Sequence, residues 1–456
     1  MAPSSLFTPA WANTRAAETL SEQAFVDALL DVEAAWGAVL AEHGFAERPD
    51  AEELTAIAAD RRQLPALAPE QLAEAAAGGG NPVIPLLKAL RAELAERGAG
   101  DSALHRGATS QDILDTAVVL LCRRAARHVV EDARAAAASL ADLAERHRGT
   151  LCTAHSLTQH ALPTVFGLKA AVWLDGISSA AETLAHAAAS LPLQWGGAVG
   201  TQAALVQIAG RGKAAELTEA LGERLGLSVP DLPWHVQRQP VLSLASALSG
   251  VTAALGKSAV DVLTLQRPEL GELREPSAAG RGGSSAMPQK QNPVLATLIR
   301  SASLAAPGHL STLHQAAAAA DDERPDGAWH AEWAALTELA RLTVGAADRA
   351  RELFAGLIVN EKAMAANLSS AGDLLLSERL MLTMGQRLPG GRSQLQALIQ
   401  AEAAGAGELR AGLTEALGDS QAVDEALDPS GYLGRADEFI DAAADAHRRR
   451  SGENPL

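Results

Sequence analysis

Five stretches of this chain, residues 113–147, 165–190, 241–266, 294–320 and 331–357, place apolar side chains at steps of three and four. That spacing lines one face of an α-helix. In the first, Ile113, Leu114, Val118, Leu121 and Cys122 share a face; in the third, Leu244, Leu248, Val251, Leu255 and Val262 do. Helices this long with short connections pack lengthwise into an elongated bundle, so an all-α fold is expected. Composition agrees, because aromatics make up only 3% and alanine dominates the apolar residues, whereas strands draw on Val, Ile, Tyr, Phe and Thr. No strand-like alternation bounded by turns is sustained, which argues against an α/β fold. Pro307 inside the fourth stretch predicts a kink.

Smaller helical units flank the bundle. Phe25, Leu29, Val32, Trp36 and Leu40 mark a helix capped by Ser21 and stopped at Gly44. Helix is expected through 51–76 and 83–96, separated by Gly78-Gly79-Gly80-Asn81-Pro82, and again after residue 352 with breaks near Asn360, Gly372 and Leu388. Three helical domains follow from this pattern: 1–104, 105–352 and 353–456.

The formal charge of −17 argues against a nucleic-acid partner, and no polybasic segment points to a membrane. An anionic substrate therefore needs a local basic cluster. Cys122 and Cys152 form neither a disulfide framework nor a metal-ligand spacing, and are read as buried thiols in a reducing compartment. Met1–Phe7 lacks the pattern of a signal peptide. The weakly charged run Pro240–Gly256 is too rich in Ser, Thr and Gly for a membrane span and is expected to be a fully buried helix. A cytoplasmic protein is expected.

Chemistry concentrates in Gly282-Gly283-Ser284-Ser285-Ala286-Met287-Pro288-Gln289-Lys290-Gln291-Asn292-Pro293. Glycines let a loop close over a small ligand, while two hydroxyls, an ammonium and a carboxamide can bind a carboxylate and activate a base. A plain linker seldom carries Met, Lys and Asn between prolines. A second stretch, His105-Arg106-Gly107-Ala108-Thr109-Ser110-Gln111-Asp112, opens a long helix with Thr109 or Ser110 as N-cap, where dipole and side chains together favour an anion. A third, Thr153–Thr164, is an inter-helix segment with His155, Gln159 and His160, and a fourth carries Arg324 and Trp329–Trp333. None has the histidine or cysteine spacing of a metal site.

Together these segments resemble the fumarase/aspartase superfamily over essentially the whole chain. The loop at 282–293 is similar to its Gly-Ser-Ser-x-Met-Pro-x-Lys-x-Asn-Pro signature at every fixed position, and 105–116 and 153–167 are similar to its two other shared regions. Within the superfamily, Gly107–Asp112, Gln159–Pro163, Gly327–Trp333 and Asp428-Pro429 with Tyr432-Leu433-Gly434 most resemble the 3-carboxy-cis,cis-muconate cycloisomerases. Two positions in the third segment depart from the pattern: Leu157 stands where a His or Trp is usual, and His155 replaces an Arg.

The resemblance implies a homotetramer with a twenty-helix core, each active site drawing its regions from three subunits. It implies addition–elimination next to a carboxylate, here lactonisation of 3-carboxy-cis,cis-muconate in protocatechuate degradation, with no metal or organic cofactor. Ser284 takes the proton-transfer role, assisted by Lys290, with His105 as a further acid/base or charge-stabilising group. Thr109, Ser110, Gln159, His160, Ser285, Met287 and Asn292 are candidate contacts for a di- or tricarboxylate, and Arg15, Arg281 and Arg324 candidate counter-charges. The alternatives are a fumarate-releasing lyase acting on a succinyl adduct and a structural paralogue without activity.

Overall fold

A computed structural model describes residues 6–452. Met1–Ser5, and with them most of the segment read as lacking a signal peptide, lie outside the described residues. Helices make up 68% of the molecule, which is all-α in class.

Ahead of the bundle, helix α1 (Glu22–Glu42) starts where Ser21 accepts a hydrogen bond from the Ala24 N–H at 3.1 Å. Its Trp36 is wholly buried, stacks obliquely on Trp195 and donates its indole N–H to the Arg106 carbonyl at 2.8 Å. The loop leading into the bundle is thereby fastened to α1. The helix expected over 51–76 is instead Arg48–Asp60 and Pro69–Ala76, with short 3-10 turns between. Pro65 causes the break, since it pushes Leu64 into extended backbone (φ −100°, ψ 105°).

The bundle consists of α2 (Ser110–Arg146), α3 (Phe166–Ala189), α4 (Gln239–Leu265), α5 (Val294–Ala318) and α6 (Gly327–Ala355). Pro307 lies within α5 without ending it. Helices α2 and α6 run in the same direction: Trp329 bonds Asp115 near their starts, and Arg351 pairs with Asp132 farther along. By length and composition α4 could cross a membrane. It packs one side into the bundle and, contrary to the expectation of full burial, leaves Ser243, Ser246, Gly250 and Ala253 exposed.

The segment read as an inter-helix connection at 153–164 is a β-hairpin. Strand β1 (Leu151–Ser156) pairs antiparallel with β2 (Gln159–Val165), and a second short pair joins β3 (Leu273–Arg274) to β4 (Ile358–Val359). The C-terminal third divides between two apolar clusters. Leu376, Leu380, Leu395, Leu413 and Leu427 form one of their own, whereas Met364, Ala436 and Ile440 join the main core. The last helix, α7 (Ala436–Gly452), lies on α3, where Arg450 pairs with Asp175 and Glu182.

Candidate active site

The N-terminus of α2 is organised by Asp112, a fully buried carboxylate with four donors. Its Oδ1 accepts from the Gly196 N–H at 2.8 Å and from His235 Nε2 at 2.9 Å, and its Oδ2 from the Gly197 N–H at 2.9 Å and the Thr109 N–H at 3.0 Å. One side chain thus caps the helix and ties the 196–197 loop to it. Thr109 is the N-cap, and its hydroxyl accepts a hydrogen bond from Arg324 at 2.9 Å, so two candidate carboxylate contacts meet here. Ser110 opens the first turn and is partly exposed.

His105 stands at the edge of the same corner with a left-handed backbone (φ 55°). Glu33 of α1 holds it twice, its Oε2 accepting the His105 N–H at 3.0 Å and its Oε1 facing Nδ1 at 2.7 Å. A buried carboxylate on Nδ1 fixes ring and tautomer and presents Nε2 outward, the arrangement of an oriented acid/base histidine. Sequence reading missed Glu33, because the 72 residues between the partners leave no local pattern.

Beneath this corner Arg238 bridges Asp115 (2.7 Å) and Glu332 (2.7 Å), all three buried. Burial pushes Glu332 above the ordinary carboxylate range, opposed by its bonds to Arg238. Trp329 adds its indole N–H to Asp115 at 2.9 Å, which explains the aromatic stretch at 329–333 as support for the corner.

The Ser284 loop is held at its base and open at its tip. Glu275, just before it, accepts from the Leu295 and Ala296 N–H groups at 3.0 and 2.7 Å, capping α5 and pinning the two ends of the loop together. Burial raises the Glu275 pKa even though both N–H groups favour its charged form. The Asn292 N–H donates to the Gly282 carbonyl at 2.8 Å. Gly282 has φ 77°, and a Cβ there would lie 2.8 Å from the Asn292 carbonyl oxygen, so this closure requires glycine. Ser284 Oγ accepts from the Met287 and Ala286 N–H groups at 3.2 and 3.4 Å, donors that would stabilise an alkoxide. Ser285, Met287 and Lys290 are exposed and Asn292 half-buried. Arg281 is spent on the loop base, donating to Glu352 at 2.5 Å and to the Pro276 carbonyl at 2.7 Å.

Gln159 and His160 lie beside the hairpin tip, both exposed, next to a cleft of about 350 Å³ shared with Leu374 and Leu375. His160 pairs across the hairpin with His155, ring to ring at 5.1 Å. Partial burial first, then the charges of His160 and Lys169, hold His155 below the ordinary histidine value. The tip residue Leu157 is 95% exposed.

Within one chain these groups do not converge. Thr109, Arg324 and His105 lie level with Trp329, whereas Arg281 anchors the Ser284 loop at Glu352 on the same helix, roughly 35 Å away at 1.5 Å per residue. Among the described residues no hydrogen bond or ion pair joins the three segments. Arg15 is also removed from the Thr109 corner, paired with Glu131 (2.6 Å) and Asp132 (2.5 Å) in the middle of α2.

Comparison with known proteins adds to this geometry. A family model described as lyase matches residues 81–308. Nitrosuccinate lyase of Streptomyces davaonensis is 42% identical over 453 residues, covering 96% of this chain and 94% of that protein. A 3-carboxy-cis,cis-muconate cycloisomerase of Pseudomonas aeruginosa is 40% identical over 393 residues, 83% of each. The crystal structure of the 3-carboxy-cis,cis-muconate lactonizing enzyme from Pseudomonas putida superposes with a TM-score of 0.87 at 33% identity, covering 98% of this chain and 99% of that one.

Proposed function

The chain belongs to the lyase family of the fumarase/aspartase superfamily, and from that premise we propose that it eliminates an anionic leaving group from a small succinate-type dicarboxylate, releasing fumarate. Ser284 removes the proton beside one carboxylate, and the electron pair of that C–H bond forms the double bond. As that double bond forms, the bond to the leaving group on the neighbouring carbon breaks, and the group departs with its electrons. On nitrosuccinate the products are fumarate and nitrite.

The observation that carries this reading is Leu157. The hairpin tip presents an exposed leucine where lyases of the superfamily usually carry a proton-donating His and the cycloisomerases a Trp, and leucine cannot protonate a leaving group. A succinylated amine would depart as a strong base and needs such a donor. Nitrite and carboxylate leave as weakly basic anions and do not. The likeness to nitrosuccinate lyase over nearly the whole chain ranks nitrosuccinate first among these substrates.

The rest of the site fits the same chemistry. The charge that develops on the substrate carboxylate needs donors, the role given to Lys290 and Asn292 on the loop, and the two N–H groups on Ser284 favour its ionised form. Thr109, Ser110 and Arg324 bind the other carboxylate, and His105, oriented by Glu33, stabilises charge at that end. Because the segments lie far apart in one chain, the reading includes a homotetramer in which different subunits complete each site.

Lactonisation of 3-carboxy-cis,cis-muconate is the second reading, favoured by the superposition on the lactonizing enzyme. There a substrate carboxylate forms the bond and Ser284 returns the proton, so a tip without an acid is again tolerated. Ultraviolet assays on the purified enzyme separate the two: fumarate appears from nitrosuccinate, or carboxymuconate is consumed. Turnover of carboxymuconate alone transfers the assignment to the second reading. In either case Ser284→Ala should assemble normally and lose at least ~100-fold in kcat. Near-normal turnover would remove Ser284 from proton transfer.

A further inference from the structure

Only six lysines occur in this acidic chain, and two of them, Lys169 and Lys257, line one groove of about 660 Å³ between α3 and α4. Arg267 and His155 line it as well, the latter from the hairpin. The one carboxylate in its wall, Asp261, is already engaged by Lys257 and by the Trp173 indole N–H at 2.7 Å. Among the described residues no carboxylate lies within ion-pair distance of Lys169 or Arg267. Lys169 is half-buried on the first turn of α3, and both Cys152 and His155 beside it feel its charge together with the opposite charge of buried Glu272, which leaves three cations around the groove against two carboxylates. Leu168, Val172 and Leu270 supply apolar walls. A groove with surplus, partly desolvated positive charge on a molecule of net charge −17 is arranged to concentrate a small anion.

We propose that this groove binds a carboxylate, with Lys169 as its principal counter-charge and Arg267 as the second. The choice of a dicarboxylate as ligand rests on the functional reading above. The groove itself does not, since it follows from the lining residues. It adjoins the hairpin that carries Gln159 and His160, so the carboxylate is either one of the substrate's two, shared with the contacts assigned above, or that of a dicarboxylate effector bound beside the site.

Calorimetric titration of the intact enzyme with fumarate tests this. Lys169→Met should weaken fumarate binding at least ~10-fold, the loss expected for one charge-assisted contact, and Lys169→Arg should restore it to within about threefold. Lys213→Met removes a surface lysine already paired with Glu216 and should change nothing. If the carboxylate is the substrate's, KM rises in step with the fumarate Kd while kcat holds; if it is an effector's, KM holds and fumarate does not compete. Unchanged fumarate affinity in Lys169→Met, no binding by the wild type, or an equal loss in Lys213→Met overturns the proposal. An enzyme inactive on both nitrosuccinate and carboxymuconate that still binds fumarate through Lys169 sinks the functional reading and leaves the groove standing. An active enzyme indifferent to Lys169 does the reverse.

Discussion

Arg238 shows how far the candidate site residues depend on side chains that carry no chemistry. It neutralises two buried carboxylates on different helices, Asp115 of α2 and Glu332 of α6, beneath the corner formed by Thr109 and Arg324. Arg238→Met should cost about 3–5 kcal/mol, because it leaves charge buried without a partner. A urea midpoint within error of the wild type would show that the carboxylates are neutralised some other way. Arg238 had no local signal, since its partners lie 123 and 94 residues away. The same holds for Glu33 behind His105. Ser284, Lys290 and Asn292 stand out as candidates because their chemistry is packed into one short loop, whereas supporting partners are brought together only by folding.

Among elements, the long helices were legible from apolar spacing alone, and the caps at Ser21 and Thr109 fall where hydroxyl residues precede the first apolar turn. The hairpin was not legible. Two-residue hairpin loops favour Asn-Gly or Asp-Gly because both positions take positive φ, yet here Leu157 (φ 50°) and Thr158 (φ 70°) occupy them. Pro163 and the irregular register between Thr153 and His155 further blur the alternation. A branched side chain in left-handed backbone costs about 1–2 kcal/mol. Replacing Leu157-Thr158 with Asn-Gly should therefore slow amide exchange along β1 and β2, measured by hydrogen–deuterium exchange. If the strained tip is retained for its place in the site, kcat/KM falls in the same protein. Faster exchange would show that the tip is not strained.

For the whole molecule, the bundle acts as a ruler. Helix α6 carries the Thr109 corner at one end and the anchor of the Ser284 loop near the other, so the rigidity that makes the fold legible also keeps its candidate reactive groups apart. A consequence follows for populations of molecules. If each site is completed by different subunits, a chain lacking Ser284 and a chain lacking His105 are defective in different halves of the site. Mixed, unfolded and reassembled together, Ser284→Ala and His105→Asn proteins should regain activity, with about a quarter of the sites receiving both intact segments in an equal mixture. Two proteins each inactive alone would then rescue one another, and the gene would show complementation between alleles of a single locus. A mixture as inactive as its components would mean that each chain works alone.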